Sequence, residues 1–171
     1  MPAGNPFWEF SLAVYGAPGV ADACLRLQDD AGLDVNLVLF ACWIAGAREA
    51  PLTDAEMRDV IALTRDWRER VVSPLRQIRR ELKGGSEGLP PEAVESFRDE
   101  IKRIELASER REQDMLFVFA QTLGAIGTAP PTVDRAAENM ARYLAATGTD
   151  AGEQVQHDCR IIAAAAARSG G

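Results

Sequence analysis

Few residues of this chain are suited to chemistry, and their spacing decides what each can do. Asp29, Asp30 and Asp34 crowd into the run Asp29-Asp30-Ala31-Gly32-Leu33-Asp34, a composition that suits diphosphate and magnesium. Helical synthases of that kind bridge two such motifs across a deep barrel, and here there is one. Asp34 has a simpler use as the N-cap of the following helix, its carboxylate accepting from backbone N–H groups that lack helical partners. Glu105, Glu109 and Glu112 share one helical face, as the glutamates of di-iron bundles do. Those sites also need glutamates on several helices and two Glu-x-x-His pairs. His157 is the only histidine, and Gln154 stands three residues before it. No metal and no cofactor is therefore expected, and the three glutamates are read as a solvated face shared with Arg110 and Arg111.

Nucleophilic catalysis finds no better footing. His157 has no evident nucleophile or orienting partner in the sequence. Cys24 and Cys42 lie in apolar stretches that raise a thiol pKa rather than lower it. With Cys159 they make three cysteines without C-x-x-C spacing, which argues against both a disulfide framework and a zinc site. Asn36 is more informative. It sits one turn into the most apolar helix, with Phe40 and Trp43 following on its face. A buried amide must be satisfied, so Asn36 either bonds a neighbouring helix or lines a small polar pocket.

The strongest remaining signal is charge. Residues 65–83 hold seven basic and three acidic side chains, whereas the rest of the chain holds 12 and 23. On a helix, Arg65, Arg68, Arg76, Arg79, Arg80 and Lys83 fall within an arc of roughly 120° flanking an apolar stripe. Arginine's planar fork suits bidentate contact with phosphate or carboxylate. Such a face either docks an acidic protein or a phosphate-bearing ligand, or pairs internally with carboxylates of the next long helix.

The elements that must position these residues are all helices. Asn5-Pro6 caps a first helix that Gly16 closes; Pro18 opens a second that stops at Gly32; Asp34 caps a third, apolar almost all round, to about Ala47. Thr53 and Glu56 form a capping box. From there apolar residues at Met57, Val60, Trp67, Val71, Leu75, Ile78 and Leu82 keep helical phase through Pro74, which predicts one long helix kinked there, or two nearly collinear ones, with Trp67 as a core anchor. Residues 84–91 are rich in Gly and Pro and predict a mobile loop. A long fifth helix runs from about Pro91 to Ala125, its Ser108–Asp114 turn exposed or paired with charges. Thr132 opens a sixth ending at Gly148, and Asp150 with Glu153 caps a seventh, with a frayed end at 169–171. The expected fold is all-α, a single domain over 1–171 of about seven helices, more than about two-thirds helical and without strands.

The residue runs Phe7-Trp8-Glu9-Phe10-Ser11, Leu27-Gln28-Asp29 through Asp34-Val35-Asn36-Leu37, and Trp67 followed by Pro74-Leu75-Arg76 and Arg79-Arg80-Glu81-Leu82-Lys83 together resemble a family of short proteobacterial proteins of unknown function. The resemblance covers roughly residues 6–83 closely and the C-terminal half through its helical pattern. It implies a bacterial cytosolic protein and no particular activity.

Of the 171 residues 47% are hydrophobic and the formal charge is −7, which disfavours generic nucleic-acid binding because that requires a basic face. Reading the second to fourth of these helices as a DNA-binding helix-turn-helix fails on that charge and on the apolarity of the would-be recognition helix. No window supplies the roughly 18 apolar residues of a membrane span, and the N-terminus lacks a signal-peptide pattern; a cytoplasmic location is expected. The leading functional expectation is a non-enzymatic interaction module that presents Arg65, Arg68, Arg76, Arg79, Arg80 and Lys83. The alternative is a small enzyme or ligand-binding protein with a pocket between the third and fourth helices, lined by Asn36, Trp43, Trp67 and some of those arginines.

Overall fold

The structure, a computed structural model, describes residues 4–125, 127 and 129–169. The expected frayed end falls partly outside them, at residues 170–171. Among the described residues eight α-helical segments follow one another: α1 Pro6–Tyr15, α2 Val20–Asp29, α3 Val35–Ala47, α4 Asp54–Trp67, α5 Ser73–Glu81, α6 Pro91–Thr122, α7 Val133–Thr147 and α8 Glu153–Arg168. A π-helical turn, Arg68–Val72, joins α4 to α5 without a break, and a short 3₁₀ turn, Leu82–Gly84, ends that rod. Counted as one rod, 54–84 brings the total to seven helices; 77% of the chain is helical, and no strand occurs among the described residues.

Most caps are the ones written in the sequence. Asn5 Oδ1 accepts from the Phe7 and Trp8 N–H groups, Asp34 Oδ1 from Asn36, and Thr132 Oγ1 from Arg135. Thr53 and Glu56 exchange side chain and backbone in a complete capping box. The expected cap on the last helix is different: Gly152 stands at the N-cap of α8 with no side-chain bond, and Glu153 is the first helical residue.

Helix α3 runs through the centre, where it packs against α1, α2, α6, α7 and α8. Its residues are buried almost without exception, as its unbroken apolarity requires. Phe7, Phe40, Trp43 and Phe117 form one aromatic cluster with ring centroids 5.3–6.1 Å apart. The fully buried Asn139 of α7 accepts from the Leu52 N–H and donates to the Ala41 carbonyl.

Gly46 permits the close passage of the 129–131 connection over α3. A Cβ there would lie 2.1 Å from the Ala129 carbonyl oxygen and 2.8 Å from the Pro131 nitrogen, both backbone atoms that cannot swing aside. Gly46→Ala should therefore cost roughly 1–3 kcal/mol or more as an overpacked site. Urea denaturation measures it; an unchanged midpoint would mean that the connection lifts off α3 without loss.

The irregularity in this rod precedes Pro74 and is a π turn. Proline has no N–H and its ring would strike the carbonyl one turn back, and the backbone answers by widening the preceding turn: the Ser73 N–H bonds to Arg68 O, five residues back. One additional residue in the turn shifts everything after it by about one position. The apolar stripe, continuous in the sequence, breaks here. Val72 is buried instead of Val71, and Ile78 is 41% exposed. Arg76 and Arg79 turn inward in place of the stripe, toward α6. Trp67, expected as a core anchor, is half-buried on the seam between α4 and α6, where its indole N–H donates to Ser108 O at 2.9 Å.

Candidate functional site

Where α5 lies on α6, two arginines meet two glutamates. Arg76 Nε donates to Glu105 Oε1 at 3.0 Å and its Nη2 to Glu109 Oε1 at 2.6 Å. Arg79 reaches both oxygens of Glu105. Glu105 is only 5% exposed. Burial pushes its carboxyl up, but the two guanidiniums outweigh that and hold it below the ordinary range. At Glu109 burial wins over Arg76, and the pKa is raised.

One turn further along α6 the polar side chains are almost wholly enclosed. Glu112 is 0% and Gln113 3% exposed, beside Asn36 at 8% and Asp34 at 7%. Asn36 Nδ2 donates to Glu112 Oε2, and Gln113 Nε2 donates to Asn36 Oδ1, both at 2.8 Å. The Asp34 N–H donates to the Tyr143 hydroxyl from α7 at 2.9 Å. Three acceptors have no donor among the described residues: Asp34 Oδ2, Glu112 Oε1 and Gln113 Oε1. The first two answer each other once Glu112 is protonated and donates to Asp34. Burial first, and then the charge of Asp34, push the Glu112 carboxyl up to about 9. Gln113 Oε1 is left as the orphan.

The proton on Glu112 makes stability depend on pH with a definite sign. A carboxyl whose folded pKa lies above its unfolded value near 4.5 stabilises the fold fully below that value, and the contribution is lost as pH rises toward about 9. Glu109 acts in the same direction. Carboxyls shifted downward, such as Glu56, Glu105 and Asp158, complete their contribution by roughly pH 5. Wild-type unfolding free energy should thus fall between about pH 5 and pH 8, by at most about 1.4 kcal/mol per pH unit for one group. Glu112→Gln, which keeps an N–H donor for Asp34, should flatten that fall. Parallel slopes for the two proteins would show that Glu112 is ionised in the fold.

The ion pairs and the amide network border one pocket of about 380 Å³, enclosed by α1, α2, the start of α3, α5 and α6. Asp34, Asn36 and Gln113 supply its buried polar lining, and Arg76, Arg79, Glu105 and Glu109 its charged side. Leu12, Leu25 and Leu106 contribute an apolar rim and are each about half exposed. Trp8 completes a wall, with Arg110 stacked 5.2 Å from its ring centroid.

Of the binding residues expected from the sequence, Asn36, Arg76 and Arg79 come together in this pocket. Arg80 turns outward to pair with Asp29 on α2. Arg65 and Lys83 are exposed, and Arg68 is half-buried in the π-turn near Tyr143. None of these last three forms an ion pair with another described residue. Trp43 belongs to the aromatic core and Trp67 to an outer groove with Leu63, Val118 and Phe119; neither borders the pocket.

The glutamates of α6 were read from the sequence either as solvated with Arg110 and Arg111 or as internal partners of the basic face; Glu105 and Glu109 pair with Arg76 and Arg79, and Glu112 is enclosed against α3. Gln113 escaped notice altogether; its one signal was an uncharged polar residue next to Glu112 on the face that also carries Glu105 and Glu109. Elsewhere the chemistry is subdued. Burial drives the Cys24 thiol up to about 12 and raises Cys42 as well. His157 is exposed on α8 beside Asp158, whose bond with Arg26 is bidentate. Among the described residues no group of His, Cys, Asp and Glu is arranged to hold a metal ion, and no helix is long and apolar enough to cross a membrane.

No curated protein and no solved structure matches the chain. A family model does match it, over residues 6–116, and every residue lining the pocket, from Trp8 to Gln113, falls within that stretch. The chain therefore belongs to the family described as "Protein of unknown function (DUF2390)".

Proposed function

We propose that the chain is a binding domain for a small molecule, which occupies the pocket between α1, α2, α3, α5 and α6. The observation that carries this reading is a pocket of about 380 Å³ whose lining joins the nearly buried polar side chains of Ser11, Asn36 and Gln113 to a rim of leucines. Such sites combine mostly apolar walls with a few placed polar groups and have this order of volume. The three stretches on which the family resemblance rests also meet there, through Trp8 and Ser11, through Gln28, Asp34 and Asn36, and through Arg76 and Arg79. Weighing against an arginine-rich docking face is the engagement of Arg76 and Arg79 with Glu105 and Glu109. An acidic protein or a phosphate group would have to displace those carboxylates.

Native mass spectrometry on protein purified gently from its host tests the reading. Wild type should release a small molecule on denaturation, and Leu106→Trp, which fills the rim from an exposed position, should release none. A wild type that carries nothing, and that instead captures an acidic protein in a salt-sensitive manner, would return the function to the arginine face.

A further inference from the structure

We propose that α6 is a dimerisation helix, on which a second copy of the chain packs antiparallel. Along one side of it Ala93, Phe97, Glu100, Ile104 and Ala107 are all exposed, and the two large apolar residues, Phe97 and Ile104, keep 51% and 53% of their surface in water. Alternating steps of four and three residues set the five in one line along the helix, as in the seam of a coiled coil. The line is nearly symmetric about Glu100. Ala93 and Ala107 stand seven residues to either side of it, Phe97 three before and Ile104 four after. A two-fold axis crossing α6 there lays Phe97 on Ile104 of the second copy, and Ile104 on its Phe97. The small alanines at either end let the two backbones approach. Self-complementarity of this kind is what an isologous interface requires.

Charge has the same symmetry. Asp99 and Arg103 lie along one edge of the line, on either side of the proposed axis, and both are exposed. Neither they nor Glu100 form an ion pair with another described residue. In an antiparallel pair each edge meets the same edge of its copy, so Asp99 of each chain faces Arg103 of the other. Glu100 stands beside its own copy at the axis, and Arg103 of the opposite chain, one turn along, neutralises that pair. The pocket stays open in such a dimer. Leu106 on its rim is nine residues from Phe97, half a turn round the helix, so a ligand and a second copy take opposite sides of α6.

Sedimentation equilibrium on the full chain tests this. Wild type should be a dimer at about 0.1 mM, well above the roughly micromolar dissociation constants of small interfaces. Ile104→Glu, Glu100→Arg and Arg103→Glu should each weaken association at least about tenfold, because like charges then meet in the seam or a charge replaces its hydrocarbon. All three positions are exposed, so circular dichroism should show the variants as helical as wild type. Mixed in equal amounts, the Glu100→Arg and Arg103→Glu chains should form a heterodimer, since each then supplies the charge that the other lacks. A wild type that stays monomeric at that concentration would overturn the proposal. So would a dimer that neither charge variant weakens, or two weakened variants that fail to associate when mixed.

Discussion

The double variant Arg76→Glu, Arg79→Glu should unfold early, by about 3 kcal/mol or more in unfolding free energy. Removing one partner of a buried ion pair costs roughly 3–5 kcal/mol, because the other charge stays behind without compensation. Here Glu105 is 5% exposed and would face two new carboxylates. The guanidiniums keep 19% and 25% of their side-chain surface exposed, so the lower end of that range applies to each pair. Arg80→Glu is the internal control. It also loses an ion pair, with Asp29, but both partners there are more than 40% exposed, and such pairs contribute about 0–1 kcal/mol. Thermal and urea melts of the three proteins check the ranking. A double variant as stable as Arg80→Glu would mean that Arg76 and Arg79 are free to serve a partner, which is what the docking reading requires.

Asn36→Leu should be damaging for the opposite reason, since it improves the apolarity of α3 and ruins its wiring. Glu112 Oε2 would lose its donor and Gln113 Nε2 its acceptor. Each buried polar group left without a partner costs roughly 1–3 kcal/mol, so the pair amounts to about 2–6 kcal/mol. The gain from burying leucine offsets about 1.5–3 kcal/mol at most. A cycle with Gln113→Leu identifies the cause, because removing both ends of one bond should cost less than the sum of the single losses. Additive losses would show that the two amides do not depend on each other.

How far such a network can be read from the sequence is clear from its members. Asn36 was legible, because a lone amide in an otherwise apolar helix has to be satisfied by another element. Asp34 was legible only as a cap; its second oxygen, the one that faces Glu112, carries no local signature. Glu105, Glu109 and Glu112 were legible as a face, but a face of glutamates reads the same whether water or arginine covers it. Which one does depends on α5, and α5 is placed by tertiary packing. The helices and most of their starts followed from side chains bonding backbone groups within four residues, as at Asn5, Asp34, Thr53 and Thr132. At α8 the acidic residues offered a cap and the chain used Gly152. The largest misreading lies in the apolar phase through Pro74, because periodicity counts residues as though every turn held the same number.

That widened turn makes the pocket a matter of registration. With 3.6 residues per turn, each residue is worth about 100° of rotation, so whether Arg68–Val72 is wound as a π turn or an α turn decides which side of α5 meets α6. As the chain stands, guanidiniums are delivered to Glu105 and Glu109, and Ile78 is left facing outward. Were the same residues wound as a regular α turn, Leu75 and Ile78 would be delivered to that surface instead, sealing it with hydrocarbon. No substitution at any lining position is needed for that change. A pocket and a plain apolar seam are therefore one turn's winding apart in this chain, and the backbone between Trp67 and Pro74 is as much a determinant of the pocket as any residue in the wall.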